Sequence, residues 1–211
     1  MVKEAERFLK AVKADSMGAA LAFALAAGCR PEEYLALRWA DIDFDRAEVR
    51  IQRVVQWRPK RNGGGFYFLP LKTKSSRRTL RVGAELLKLL AVQRRRQMAH
   101  RLKLGSKYQA LDLVFPASEG TPMQRRNLFA RHMKPVMTAA KLDKKLTLYS
   151  LRHSFCTLAM AAGLDPKQVS VAMGHKSVAF TMDKYQHVLP ATKEATADRL
   201  EKLLFKNRSV G

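Results

Sequence analysis

The sequence predicts an α+β fold, mainly helical, with a small antiparallel three-stranded sheet. Three observations point there. Apolar residues recur at helical spacing on both sides of a central stretch. Within that stretch, from Glu48 onward, apolar and polar residues alternate, and basic, glycine-rich turns separate the alternating runs. The 211 residues are about half apolar, which is enough for one sizeable core.

The elements follow in order. Residues 3–13 put Ala5, Phe8, Leu9 and Val12 on one helical face. Residues 16–27 are almost wholly apolar (MGAALAFALAA), as a central core helix must be, and Gly28 suits a left-handed cap. Pro31 suits the first turn of the next helix, PEEYLALRW, where Glu32 and Glu33 complement the helix dipole. Arg30 stands at that junction. Three strands follow: residues 47–56, FYFLPL and RRTLRV, joined by the turns RPKRNGGG and KTKSS. Residues 84–104 form a long helix with Leu86, Leu87, Leu90, Met98 and Leu102 inward and Arg94, Arg95 and Arg96 on a solvated face. Residues 124–140 form a basic amphipathic helix interrupted near Pro135, the best candidate for a helix entering a groove of DNA. Two further helical stretches, 149–185 and 191–205, end the chain.

Forty basic against 18 acidic residues give a formal charge of +22. Such an excess attracts polyanions, nucleic acid first, with an attraction that weakens as salt rises. No apolar run approaches the ~18 residues of a membrane span, and the N-terminus is a charged amphipathic helix rather than a signal peptide. The expectation is a cytoplasmic protein, nucleoid-associated in a prokaryote, with no membrane partner. Cys29 and Cys156 stand in apolar surroundings without histidines at zinc-ligand spacing, and they read as small buried hydrophobes.

Several motifs stand in order: AAGCRPEEYLALRWADID, LKTKSSRRTL, LYSLRHSF and MGHKSVAFTMDKYQH. Together they resemble the catalytic domain of the tyrosine recombinases, the phage-integrase family, over nearly the full length. The resemblance implies six site residues. Arg30 stands in G-x-R-x-x-E with Gly28 and Glu33. Lys72 fits the hairpin-turn lysine best, with Lys74 a rival. Arg152 is the arginine of H-x-x-R, His175 the histidine of L-G-H, and Tyr185 the nucleophile. Tyr149 replaces the histidine of H-x-x-R, so it reads as a supporting donor and a poor proton acceptor.

The implied reaction is tyrosine attack on a DNA phosphodiester, giving a 3′-phosphotyrosyl link and a free 5′-hydroxyl. The link conserves bond energy, so no ATP or other cofactor is needed. Arg30 and Arg152 would hold the non-bridging oxygens with permanently charged forks and supply the charge that a metal supplies elsewhere, so no metal is called for. Lys72 would protonate the leaving oxygen. Tyr185, a phenol of pKa about 10, needs neighbouring positive charge to act as a nucleophile. The implied partner is double-stranded DNA, with self-association as a tetramer on it.

The resemblance divides the chain into a catalytic domain, 1–190, and a C-terminal helix and tail, 191–211, which would pack on its own domain or on a neighbouring protomer. The helical N-terminal domain usual in the family has no counterpart, so the chain is expected to be a fragment or a short form. Other readings are a non-cleaving DNA-binding module, type IB topoisomerase-like relaxation and, far behind, a basic RNA-binding protein. Beside the site, His153 reads as a buried structural histidine, and His187 as a surface one. His100 and His132 read as exposed or phosphate-neighbouring, and Lys74, Arg77 and Arg78 as contacts to the DNA backbone.

Overall fold

A computed structural model describes residues 1–59, 61, 63–71, 73, 76–175 and 177–179. Its centre is helix α2, Gly18–Ala27, which is apolar on every side. Leu21, Phe23 and the alanines at 20, 22 and 24 are essentially inaccessible. Such a helix has to be enclosed. Helices α4 (Ala84–Leu104) and α7 (Leu148–Ala161) pack against it, and α1 (Val2–Ala11) runs into a 3-10 turn, Val12–Ala14, that closes over it.

Helix α2 stops at Gly28, whose φ of 61° lies in the left-handed region. A β-carbon there would stand 2.3 Å from Cδ1 of Phe155 on α7, so glycine serves both the turn and the close approach of the two helices. The short helix α3, Pro31–Tyr34, begins three residues later. It is shorter than the nine-residue pattern PEEYLALRW suggests: the chain leaves the helix at Leu35 and then bridges from Arg38 to Leu113.

The sheet is antiparallel, as expected, but its strands are divided differently. Strands β1 (Ile42–Asp43), β2 (Glu48–Ile51) and β5 (Arg78–Arg81) make a three-stranded sheet in the order β1-β2-β5. Strands β3 (Arg53–Trp57) and β4 (Phe66–Pro70) make a separate two-stranded ribbon. The single strand read over 47–56 is thus broken at Gln52, whose carbonyl accepts from the Leu71 amide. Asp41, buried, fixes the break from beneath: it accepts from the Arg38 amide at 2.9 Å and forms an ion pair with Arg53. In β2, Val49 and Ile51 face the core and stand opposite Leu80 and Arg78 of β5.

Residues 124–140 form one helical path in three pieces: α5 (Arg125–Leu128), a π turn (Phe129–Met133) and α6 (Lys134–Ala139). Proline lacks an N–H, and the wider turn just before Pro135 lets the path continue where a break was expected. Three apolar residues expected inside lie outside. Leu9 is on the open side of α1, and Met98 and Leu102 are on the second half of α4. The buried residues of α4, namely Leu86, Leu90 and Gln93, all belong to its first half. Cys29 and Cys156 are both buried, and neither is joined in a disulfide. Among the described residues, no helix is long and apolar enough to cross a membrane.

Gly28→Ala tests the α2–α7 junction. A left-handed alanine costs about 1–2 kcal/mol and the added methyl about 1–3 kcal/mol more. The melting temperature should fall by roughly 5–15 °C, at about 2–4 °C per kcal/mol for a domain of this size. An unchanged melting curve would show that Phe155 and the turn yield freely.

Candidate active site

Among the described residues, the site is assembled from three pieces of chain. Arg30 immediately precedes α3, in extended backbone geometry. Its amide donates to Oε2 of Glu33 at 2.9 Å, and its Nη1 pairs with Oε1 at 3.0 Å. Glu33 is 1% exposed. Burial alone would push its carboxyl up, but hydrogen bonding and charge from Arg78, then Arg30, outweigh burial and hold it below the usual carboxylate range. Arg30 itself keeps 37% of its side-chain surface open and reaches the Gly174 carbonyl with Nη2 at 3.4 Å.

Arg152 comes from α7. Thr147 caps that helix by accepting from the Ser150 amide, while Ser150 Oγ accepts from the Thr147 amide. One turn on, Arg152 points inward and is 5% exposed. Its Nη1 donates to the Gly28 carbonyl at 2.6 Å. Its Nη2 is buried and has no hydrogen-bond partner among the described residues. Burial, then the Arg30 charge, push this guanidinium down to about 10, so it remains charged at neutral pH. A buried, charged donor without an acceptor is costly until an anion meets it.

His175 follows α8 (Pro166–Met173), which Asp165 caps at its start and Gly174, at φ 66°, ends. The turn returns the His175 amide to the Ser170 carbonyl at 3.0 Å. Burial, followed by the charges of Arg152, Arg30 and Arg78, pushes the imidazole down to about 4. At pH 7 His175 is neutral and offers one N–H without adding a further positive charge.

Arg30, Arg152 and His175 therefore converge. Tyr149 lies three residues before Arg152 on α7, with its hydroxyl donating to Glu32 Oε2 at 2.9 Å. Arg125 pairs with the other Glu32 oxygen at 2.8 Å and lies 5.8 Å from the Tyr149 ring centre. Burial and the Glu32 carboxylate push the phenol above its ordinary value, which keeps it a donor. Lys72, Lys74, Tyr185, His187 and the helix read over 191–205 lie outside the described residues.

Neighbouring residues differ from expectation in two places. His153 is exposed rather than buried: with Arg152 turned inward, the next helical position turns away, and His153 still bears on the His175 charge. Arg78 is buried rather than available to DNA, with both Glu33 oxygens within its reach. The strand pattern carries its signal, because Arg78 alternates with Leu80 and so shares the inward face of β5. Elsewhere, His100 is exposed and meets the Ser118 carbonyl, while His132 is half-buried against Asp15. Neither touches the site.

Three comparisons place these features among known proteins. The family model described as "Phage integrase family" matches residues 2–192. A tyrosine recombinase XerC-like protein of Caldanaerobacter subterraneus subsp. tengcongensis is 30% identical over 210 residues, covering 95% of this chain and 53% of the relative. The ICEBs1 integrase of Bacillus subtilis is 32% identical over 177 residues, covering 84% of this chain and 46% of the relative. The chain thus spans about half the length of these relatives. Among solved structures, the Tn1549 transposon integrase in complex with a circular intermediate DNA is 21% identical with a TM-score of 0.74, covering 94% of this chain and 63% of that one. The catalytic domain of bacteriophage HP1 integrase is 18% identical with a TM-score of 0.58, covering 100% of this chain and 97% of that one. Both share the fold, and with the match to the family model over nearly its whole length, the chain belongs to the phage integrase family.

Proposed function

We propose that this chain is the catalytic part of a site-specific DNA recombinase, residues 1–190 forming its catalytic domain, and that it breaks and rejoins double-stranded DNA through Tyr185. The single observation that carries this reading is the uncompensated cationic site. Three guanidiniums, from Arg30, Arg78 and Arg152, face one carboxylate, Glu33, and a buried Nη2 of Arg152 has no acceptor among the described residues. A phosphodiester supplies the charge and the oxygens that such a site lacks. The chain's excess positive charge draws the same polyanion.

In this scheme Tyr185 gives its phenolic proton to water, its oxygen attacks phosphorus as the P–O5′ bond breaks, and Lys72, or its rival Lys74, donates a proton to the departing 5′ oxygen. Rejoining reverses each transfer. Arg30 and Arg152 stabilise the charge that builds on the non-bridging oxygens, and neutral His175 donates to the same group. Tyr149 can add a donor once a phosphate oxygen replaces Glu32 as its acceptor. Self-association on DNA is proposed for the assembled protein, through a C-terminal segment that lies outside the described residues. A non-cleaving DNA-binding module is the second reading, favoured by the engagement of Tyr149 with Glu32. The two differ in whether a covalent adduct forms.

On a nicked suicide duplex the parent chain should form a covalent protein–DNA adduct, and Tyr185→Phe should bind that duplex while forming none. Adduct persisting in Tyr185→Phe would sink the assignment, and no adduct from the parent would favour the binding module. In the same assay Arg152→Ala should slow single-turnover cleavage on the order of 10²–10³-fold, the usual loss for one donor to a developing oxyanion. Arg152→Lys should recover only part of the rate, since lysine presents no fork. Parental-rate cleavage in either variant would remove Arg152 from the clamp.

His175 makes a prediction about acid. Its folded pKa, about 4, lies below the ordinary 6.5, so the unfolded chain takes up the proton first. Its contribution to stability is fully present above pH 6.5 and is lost as pH falls toward 4. Urea midpoints measured across that range should decline, and His175→Gln should decline less. Parallel declines would show that His175 is not held neutral by its neighbours.

A further inference from the structure

Arginine carries five N–H donors, and in Arg78 all five have acceptors. Nε donates to the Ala172 carbonyl at 2.6 Å. Nη1 donates to Glu33 Oε1 at 3.3 Å and to the Ser76 carbonyl at 3.0 Å. Nη2 donates to Glu33 Oε2 at 2.9 Å and to Cys29 Sγ at 3.4 Å. Its side chain is 5% exposed. Nothing remains with which to bind substrate. Arg152, by contrast, keeps an unmatched donor.

The acceptors of Arg78 belong to separate parts of the site. Glu33 is the residue that holds the Arg30 amide and guanidinium. Ala172 is in the last turn of α8, which Gly174 ends just before His175. Gly174 itself lies against the guanidinium, since a β-carbon there would be 2.8 Å from Nη1 of Arg78. Ser76 belongs to the turn between β4 and β5.

We propose that Arg78 is a positioning residue for strand cleavage, fixing Arg30 through Glu33 and His175 through the end of α8. The role is electrostatic as well as geometric. Arg78 takes up most of the Glu33 charge with a two-toothed pair. Without Arg78, Glu33 would turn its full charge on Arg30 and neutralise a clamp meant for phosphate. The proposal rests on the phosphodiester chemistry set out above.

The test uses the full chain on the nicked suicide duplex, with DNA affinity by gel shift and folding by thermal melting. Arg78→Lys keeps the charge and loses the fork. It should bind DNA within about twofold of the parent, a difference of under ~0.5 kcal/mol, and cleave about tenfold or more slowly at saturating protein. The decisive readout is the combination with Arg30→Ala. If Arg78 acts through Arg30, the double variant is much less impaired than the product of the two losses, whereas independent damage to the fold multiplies them. If Arg78→Lys does not melt as a folded protein, Glu33→Gln with Arg78→Gln replaces it, because removing both members of a buried pair strands no charge. That variant should fold and still cleave slowly. Parental-rate cleavage in either variant, or losses that multiply, overturns the positioning role while leaving the strand-transfer reading intact. No adduct from the parent overturns both.

Discussion

One buried carboxylate organises the cationic side of this molecule. Glu33 is enclosed by Arg30 on one side and Arg78 on the other. A lone carboxylate in that position would shed its charge by taking up a proton. With two guanidiniums it stays ionised, and it binds the α3 N-terminus, strand β5 and, through Arg78, the end of α8 into one body. A buried ion pair is weak evidence of stability, because desolvation offsets attraction. Its value here is geometric. The pair fixes where Arg30 can stand, and Arg30 is a clamp candidate with open surface.

The remaining positive charge is unbalanced by design of the packing. Arg152 enters from α7 and finds the buried Gly28 carbonyl, at the left-handed turn where α2 ends. The core helix therefore does more than fill space: its last carbonyl sets the depth of a buried guanidinium. Glu33 is already shared by two arginines, so Arg152 has no carboxylate of its own. Its lowered pKa and the neutral state of His175 have a common cause, burial first and crowded cations second. The proposed phosphate would relieve both at once. On the proposed reading, the site is strained electrostatically before its ligand arrives, which fits stabilisation of a transition state by preorganised charge.

Much of this was legible in the sequence, for particular reasons. Arg30, Arg152 and His175 stand in short motifs whose local turns are set by Gly28, Thr147 and Gly174, so their placement follows from nearby residues. The enclosed helix α2 was legible from composition alone. What could not be read locally depended on distant partners. The break at Gln52 depends on Asp41 and Arg53. The exposure of Met98 and Leu102 depends on where α2 ceases to cover α4. The reading of His153 as buried fails because Leu151 and Arg152 take the inward positions of that turn of α7, and the position after them faces outward.

Arg78 is the instructive case, because charge and pattern gave opposite indications. In a run of basic residues it looked like a contact to DNA. By strand alternation it belonged with Leu80 on the inner face. Pattern prevails over charge type only when every donor of the buried group can be satisfied, and here five acceptors from four residues do so. The same accounting separates the arginines by role. A guanidinium with all donors matched builds the site, one with a donor left over is poised for the ligand, and one that is partly open, like Arg30, can do both. Counting donors thus distinguishes side chains that charge alone makes identical.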